Sequence, residues 1–321
     1  MAYDRRAFLK TTLAASAALA SDAQVQGQAS PMFPDFTTQK IQTSGATIHT
    51  LRGGSGPPLL LLHGYPQTHV EWHKIAPRLA EKFTVVMTDL RGYGDSSKPP
   101  DGENHANYSK RAMALDQVEV MRTLGFNRFA VVGHDRGGRV TWRMAVEHPD
   151  AVSKAVILDI VPLPYSRVTR EFATAYYHWF FLIQPAPFPE TLIGNSAEYY
   201  LRSRFFQRQG SEGAGAVFTP EAVAEYLRCF KDPATIHATC EDYRAGAGID
   251  LDHAAEDGAR KVMCPLLVLW GERGTVGRLD PVMNLWREKA VNVTGKSLPA
   301  GHFLPEEAPA EILSAVRGFL A

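Results

Sequence analysis

The 321-residue chain lacks the features that mark nucleic-acid-binding and membrane-spanning proteins. Lysine plus arginine and aspartate plus glutamate number 34 each, so the formal net charge is +0, whereas nucleic-acid-binding domains usually carry a basic excess. No apolar run reaches the roughly 20 residues that a membrane-spanning helix needs. A glycine-rich phosphate-binding loop is also missing from the sequence. These absences predict no nucleic-acid partner, no membrane span and no cofactor.

Cysteine is scarce as well. Cys229, Cys240 and Cys264 are an odd number of thiols, and their spacing is not that of a paired metal site. We therefore expect three buried free thiols, and neither a disulfide framework nor a metal centre.

The apolar content of 45% and the charged content of 21% suit a globular core. Short apolar, β-branched runs alternate with segments of helical periodicity at 108–124 and 138–147. Such runs predict strands covered on both faces, as in a parallel sheet with helices on either side. The runs are PLLLLH (58–63), FTVVMTDL (83–90), FAVVGH (129–134), KAVILDI (154–160) and PLLVLW (265–270). An open, mostly parallel α/β sheet is predicted, with its active site at the C-terminal ends of the strands.

The first 30 residues form a segment apart from this pattern. Arg5 and Arg6 precede a short apolar run at 11–20 that is rich in alanine and leucine. Paired arginines before a modest apolar segment are typical of a twin-arginine export signal. Cleavage could follow Ala20 or Ala29. The segment predicts recognition by the twin-arginine export machinery and a periplasmic location, or a cytoplasmic one if the signal is not used.

The alternation of strands and helices stops between about residues 162 and 250. This stretch is rich in aromatic residues and has helix-like segments without a strong strand. It predicts a helical lid inserted into the α/β core. The predicted organisation is an export signal and linker at 1–30, the first part of the core at 31–161, the lid at 162–250 and the second part of the core at 251–321.

The most informative motif is GHDRG at 133–137, directly after a buried apolar run. A Gly-x-nucleophile-x-Gly turn between a strand and a helix exposes its central side chain in a strained backbone. That side chain is Asp135, which is already ionised at neutral pH and needs no base to activate it. Asp135 is therefore predicted to displace a leaving group from carbon and to form an ester.

An aspartyl ester needs a base and an acid from later strand ends. His302 lies in a Gly-His loop between the last strand-like segment and a C-terminal helix, which suits a base that reaches over the sheet. Asp159 ends an apolar run, where a carboxylate is costly to bury without a partner. We predict that Asp159 orients His302, with Glu272 and Asp280 as weaker candidates for that role.

An oxyanion hole is expected beside Asp135. Its donors would be the backbone N–H of Tyr65, in the loop after the first strong strand, and that of Arg136. The hole would act when water attacks the ester.

Several motifs resemble the α/β-hydrolase superfamily, and its fluoroacetate (haloacetate) dehalogenases in particular. The superfamily motifs are HGYPQ (63–67), DLRGYGDS (89–96), GHDRGGR (133–139) and GHF (301–303), and the lid segments are YHWFFLIQP (177–185) and CEDYRAG (240–246). The resemblance implies an α/β-hydrolase fold with helices on both faces of the sheet, a small haloacid substrate and a possible homodimer. It implies Asp135 as nucleophile, His302 as base and Asp159 as acid. It also implies a carboxylate clamp of Arg136 and Arg139, and halide donors His178, Trp179 and Tyr243.

The chemistry of a haloacetate agrees with these roles. A carboxylate nucleophile is repelled by an anionic substrate unless cations intervene, and Arg136 and Arg139 fall on one face of the elbow helix. Guanidinium groups match carboxylates bidentately, although either arginine could instead pair with an acidic lid residue. An epoxide hydrolase of the same fold and a non-catalytic receptor for small carboxylates are the competing hypotheses. The preferred halogen stays open.

Overall fold

The computed structural model describes residues 32–162, 168–206 and 217–321. The predicted export signal at 1–30 lies outside these residues, so that hypothesis stays a prediction. Within the described ranges, no helix combines the length and the apolar character needed to cross a membrane.

Eight strands of the described chain form a single sheet. They are Phe36–Gln42 (β1), Thr47–Gly53 (β2), Pro58–Leu62 (β3), Thr84–Thr88 (β4), Phe129–His134 (β5), Val152–Leu158 (β6), Leu266–Gly271 (β7) and Val293–Leu298 (β8). Their order is β1-β2-β4-β3-β5-β6-β7-β8. Strand β2 runs antiparallel to β1 and β4, and all other neighbours are parallel. The predicted mostly parallel α/β sheet is confirmed.

The five apolar runs found in the sequence correspond to β3 through β7. Four of the five residues of β3 and all five of β4 are buried, as expected for strands covered on both faces. Strands β1 and β2 were not among the predicted runs because polar and apolar residues mix in FTTQKIQ and TIHTLRG. These strands form the antiparallel edge of the sheet, where one face needs less apolar cover.

The helices of the core flank the sheet. They are Ala76–Leu79 (α1), Lys110–Thr123 (α2), Asp135–Glu147 (α3), Thr275–Leu279 (α11), Val282–Lys289 (α12), Leu304–Glu307 (α13) and Pro309–Leu320 (α14), with 3-10 turns at His69–Trp72 and Glu103–Tyr108. Helix α3 is almost wholly buried between its neighbours. It begins at Asp135, so the residue predicted as nucleophile opens the central helix of the core.

A group of helices lies between β6 and β7, in the part of the chain for which a lid is predicted. The described helices are Arg170–Ala175 (α4), Tyr177–Leu182 (α5), Phe188–Gly194 (α6), Ala197–Phe206 (α7), Pro220–Phe230 (α8), Pro233–Ala247 (α9) and Ile249–Glu256 (α10). Helix α10 continues past the predicted end of the lid at residue 250. Aromatic side chains of α4, α5 and α9 pack on one another, which supports the predicted role of most lid aromatics in packing.

The three cysteines are free thiols. Cys229 and Cys240 are buried, as expected, but the prediction that all three are buried is wrong for Cys264. Cys264 precedes β7, in the loop that enters the sheet, and is partly exposed there.

Candidate active site

Asp135 stands at a sharp turn between β5, which ends at His134, and α3. Its φ of 47° lies in the left-handed region, which non-glycine residues rarely adopt. A Cβ on Gly133 would lie 2.3 Å from the carbonyl oxygen of Gly137, and one on Gly137 would lie 2.3 Å from that of Leu62. Glycine is therefore required on both sides of Asp135, because the elbow presses against the adjacent strand and helix.

His302 lies between two carboxylates. Its Nδ1 is 2.6 Å from Asp159 Oδ2, and its Nε2 is 3.7 Å from Asp135 Oδ2. All three side chains are buried. The structure thus brings together the predicted nucleophile, base and acid, in the order that such a triad requires.

Two further hydrogen bonds fix the position of Asp159. Its Oδ1 accepts a hydrogen bond of 2.9 Å from the backbone N–H of Gly271, and its own N–H donates to the Leu269 carbonyl at 2.8 Å. The Gly271 N–H and His302 Nδ1 together satisfy both oxygens of a carboxylate that is costly to bury. Of the alternative acids, Glu272 is exposed and Asp280 lies at the end of α11. The acid in contact with His302 is Asp159.

The backbone N–H of Tyr65 points at the nucleophile. It donates a 3.0 Å hydrogen bond to Asp135 Oδ1, whereas Oδ2 is the oxygen that faces His302. The two oxygens of Asp135 therefore have different surroundings. The predicted contribution of the Arg136 N–H to the oxyanion hole stays a prediction.

Asp135 is ionised in spite of its burial. Burial alone would raise the pKa of its carboxyl, but the charges of His302, His134 and Arg136 and the Tyr65 N–H together lower this pKa to about 2. A nucleophilic carboxylate is consequently available over the whole neutral range of pH.

Arg136 is paired with an acid of the lid. Its Nε donates to Asp242 Oδ2 at 2.8 Å, and its Nη2 donates to Oδ1 at 2.6 Å. Asp242 also accepts from Tyr93 Oη at 2.6 Å and pairs with Lys110. Although burial opposes it, these two cations hold the pKa of Asp242 well below its usual range. The pairing of an arginine with an acid of the predicted lid thus occurs for Arg136, whose Nε and Nη2 both donate to Asp242.

Both predicted clamp arginines line one small cavity of about 260 Å³, together with Trp179 and Tyr243. The guanidinium carbon of Arg136 is 4.3 Å from the centroid of the Tyr243 ring, and that of Arg139 is 5.2 Å from a ring centroid of Trp179. A cation over an aromatic face is attracted to it. Each arginine is therefore held against one of the predicted halide donors.

The three predicted halide donors are neighbours. The ring centroids of His178 and Tyr243 are 5.8 Å apart, those of Trp179 and Tyr243 are 6.3 Å apart, and those of His178 and Trp179 are 6.4 Å apart. Burial and the nearby Asp135 charge raise the pKa of the Tyr243 hydroxyl well above its usual value. Tyr243 accordingly keeps its proton and can donate it to a leaving group.

A buried ion pair lies behind the elbow and was not predicted from the sequence. Glu71 Oε1 is 3.0 Å from His134 Nδ1, and Glu71 Oε2 accepts a 2.8 Å hydrogen bond from the Gly64 N–H. His134 Nε2 is 2.8 Å from the His302 carbonyl oxygen. Burial would lower the pKa of His134, but Glu71 raises it to about 9. The pair thus connects the loop that contains Gly64, the elbow at Asp135 and the loop that contains His302. In the sequence, only the acidic residue within the segment His69–Trp72 pointed to it.

Two clusters in the described chain have ligand atoms close enough to approach one metal ion. They are His49, His69 and Asp89, and Asp101, His237 and Glu241. Neither includes a residue of the Asp135–His302–Asp159 triad. In the second cluster, Glu241 is already paired with Arg244 at 2.7 Å, and a cation there opposes the binding of another.

The fold and the triad define the class of the protein. The family model of the alpha/beta hydrolase fold matches residues 57–309. A solved α/β-hydrolase structure from Nostoc sp PCC 7120 is 58% identical, covers 89% of this chain and 98% of its own, and superimposes with a TM-score of 0.87. The protein is an α/β hydrolase.

Its relatives give a narrower placement. A fluoroacetate dehalogenase from Burkholderia sp is 47% identical over 90% of this chain and 95% of its own length. A soluble epoxide hydrolase from Corynebacterium sp. (strain C12) is 35% identical over 90% of this chain and 99% of its own. Within the α/β hydrolases, the chain belongs to the fluoroacetate (haloacetate) dehalogenase family.

The Glu71–His134 pair gives a prediction about stability and pH. The folded protein holds the pKa of His134 at about 9, above its usual 6.5. The resulting stabilisation is complete below pH 6.5 and is lost as the pH rises through about 9. Across this window, the free energy of unfolding of the wild-type protein should fall by up to roughly 3 kcal/mol. In Glu71→Gln this fall should be absent.

Urea unfolding at a series of pH values measures this difference. Glu256→Gln, which removes an acid from an exposed ion pair with Arg111, is the matched control. The same pH slope in Glu71→Gln and in the wild-type protein would contradict a protonated His134.

Proposed function

We propose that the protein hydrolyses haloacetates, and fluoroacetate in particular, to glycolate and halide through an ester on Asp135. The observation that carries this proposal is the buried triad of Asp135, His302 and Asp159 at the start of the elbow helix. Two arginines of the same helix, Arg136 and Arg139, line a small cavity with Trp179 and Tyr243. The fluoroacetate dehalogenase from Burkholderia sp, by its name, supports the same substrate.

In the first step, Asp135 Oδ2 attacks the α-carbon in line with the carbon–halogen bond. A new C–O bond forms, and the halide leaves with the bonding electrons. Arg136 and Arg139 neutralise the carboxylate of the substrate, so that two anions can meet. The N–H and O–H groups of His178, Trp179 and Tyr243 donate to the departing halide, where negative charge develops.

In the second step, His302 Nε2 takes a proton from water, and the resulting hydroxide attacks the ester carbonyl carbon of Asp135. Asp159 holds the other ring nitrogen and stabilises the imidazolium. The negative charge collects on Asp135 Oδ1, the oxygen that already accepts from the Tyr65 N–H. Collapse of this intermediate breaks the ester bond and releases glycolate, which takes the proton from His302.

The decisive test is halide release from fluoroacetate and chloroacetate. Asp135→Asn should release no halide, because an amide is a poor nucleophile. His302→Asn should release one equivalent and stop, since its ester cannot be hydrolysed, and intact-protein mass spectrometry should find the added carboxymethyl group. His148→Asn, beyond the end of α3, is the control.

Other outcomes would favour the competing functions. Turnover of styrene oxide without halide release from either acid would favour an epoxide hydrolase, the activity named for the Corynebacterium relative. Saturable binding of haloacetates without any turnover would favour a non-catalytic receptor. A neutral epoxide, however, offers no carboxylate to Arg136 and Arg139, which line the small cavity.

The carboxylate clamp predicts a charge-dependent effect. Arg139→Gln should lower kcat/KM for chloroacetate by about tenfold to a hundredfold, the value of a hydrogen bond to a charged group. The kcat/KM for chloroacetamide, which is neutral, should fall by a much smaller factor. Arg143→Gln is the matched control, because Arg143 lies one turn further along α3 and pairs with Asp257. Equal losses for both substrates would rule out the clamp.

The halide donors predict a dependence on the leaving group. Tyr243→Phe should lower the rate of fluoride release by about a hundredfold or more and that of chloride release by a smaller factor. Fluoride is the poorer leaving group, so its departure depends more on hydrogen-bond donors. Tyr200→Phe, whose hydroxyl contacts that of Tyr65, is the control. Identical factors for the two halides would mean that Tyr243 has a packing role only.

A further inference from the structure

A second and larger cavity also reaches the active site. It has a volume of about 730 Å³, with His302 in its lining. Four arginines line it against one acid, Glu171, among the described residues; they are Arg170, Arg204, Arg273 and Arg278. A haloacetate has no need of this volume or of this charge, since Arg136 and Arg139 line the other cavity. The excess of positive charge is local, because the whole chain is neutral.

Arg204 differs from the three arginines around it. Arg170, Arg273 and Arg278 are exposed, whereas Arg204 on α7 is 3% exposed. Its guanidinium carbon lies 5.2 Å from the centroid of the Tyr177 ring. Burial lowers the pKa of Arg204, but the nearby Tyr200, Tyr65 and Tyr177, the last through a hydrogen bond as well, raise this pKa above its usual value. In the described ranges, no ion pair joins Arg204 to a carboxylate.

Other buried arginines show what such a side chain normally requires. Four of them have a carboxylate within ion-pair distance: Arg91 with Asp116, Arg136 with Asp242, Arg143 with Asp257 and Arg244 with Glu241. A buried charge is costly unless it is paired. The cavity therefore favours an anion at Arg204, and the planar fork of a guanidinium matches a carboxylate bidentately.

We propose that Arg204 binds a carboxylate in the cavity beside His302, and that the enzyme therefore accepts 2-haloacids that carry a second carboxylate. This inference rests on the proposed function. One carboxylate of the substrate binds at Arg136 and Arg139, and the halogenated carbon faces Asp135. The remaining substituent of that carbon extends past His302 to Arg204. The chemistry is unchanged: Asp135 displaces halide, water hydrolyses the ester, and a 2-hydroxy dicarboxylate leaves.

The test compares acids that differ in the distal group alone. Halide release is measured for chloroacetate, for 2-chlorobutanedioate and 2-chloropentanedioate, and for the analogues of these diacids whose distal carboxylate is an amide. The two chain lengths measure the reach to Arg204. The proteins are the wild type, Arg204→Gln, Arg204→Lys and, as the control, Arg273→Gln, which changes an exposed arginine of the same cavity.

We expect the wild type to prefer at least one diacid over its amide by about tenfold or more in kcat/KM, as an ion pair of about 1.4 kcal/mol would give. Arg204→Gln should abolish this preference, Arg204→Lys should retain part of it, and Arg273→Gln should leave most of it. Chloroacetate turnover should stay within about threefold of wild type in all of these variants.

Three results would overturn the proposal. They are no preference for either diacid over its amide, an equal loss for chloroacetate and the diacids in Arg204→Gln, and a preference that survives in Arg204→Gln. Calorimetric binding of butanedioate and pentanedioate to wild type and Arg204→Gln measures the site without chemistry. A protein that binds these diacids through Arg204 but releases no halide from chloroacetate would contradict the proposed function and keep the anion site.

Discussion

The structure depends on keeping one negative charge, that of Asp135, inside the protein. The carboxylate lies at a strained turn, buried, with its pKa lowered to about 2 by surrounding cations and by the Tyr65 N–H. Each side chain that lowers this pKa is itself held by an acid: His302 by Asp159, His134 by Glu71 and Arg136 by Asp242. The nucleophile is thus surrounded by three basic side chains, and each of them contacts a different acid.

One of these pairs also sets the position of the lid. Asp242 on α9 is bonded to Arg136 on α3, and Lys110 on α2 and Tyr93 add two further contacts from the core. Tyr243 is the next residue along α9, and its ring lies beneath the Arg136 guanidinium. The lid is therefore fixed to the elbow at the point where it supplies a predicted halide donor. Removing one partner of such a buried cluster leaves an uncompensated charge. The position of Tyr243 therefore depends on the pairing of Arg136 with Asp242.

The sequence predicted the residues whose roles are local and missed those whose roles arise from tertiary pairing. Asp135, His302 and Asp159 could be found because a glycine-flanked elbow, a Gly-His loop and an acid in an apolar run are visible in short segments. The partnership of Glu71 with His134 could not be found, since it joins a 3-10 turn to a strand end far along the chain. Arg204, which is buried and has no ion pair with a carboxylate among the residues that the structure describes, is another such case. Helix α7 has no strong sequence pattern, and only the packed structure shows which of its side chains are buried. Edge strands β1 and β2 were missed because their polar residues obscure the apolar alternation.

The two oxygens of Asp135 connect the two half-reactions of the proposed mechanism. Oδ1 is 3.0 Å from the Tyr65 N–H, while Oδ2 is 3.7 Å from His302 Nε2. If Oδ2 attacks carbon, Oδ1 becomes the carbonyl oxygen of the ester without leaving its hydrogen bond. The same N–H then stabilises the oxyanion that forms when water adds, and His302 is already beside the ester bond that must break. No reorganisation of the elbow is needed between the steps, and preorganised donors of this kind lower a barrier most effectively when they do not have to move. The strain stored at Asp135 is consistent with this requirement, because the left-handed turn holds each oxygen in its own environment.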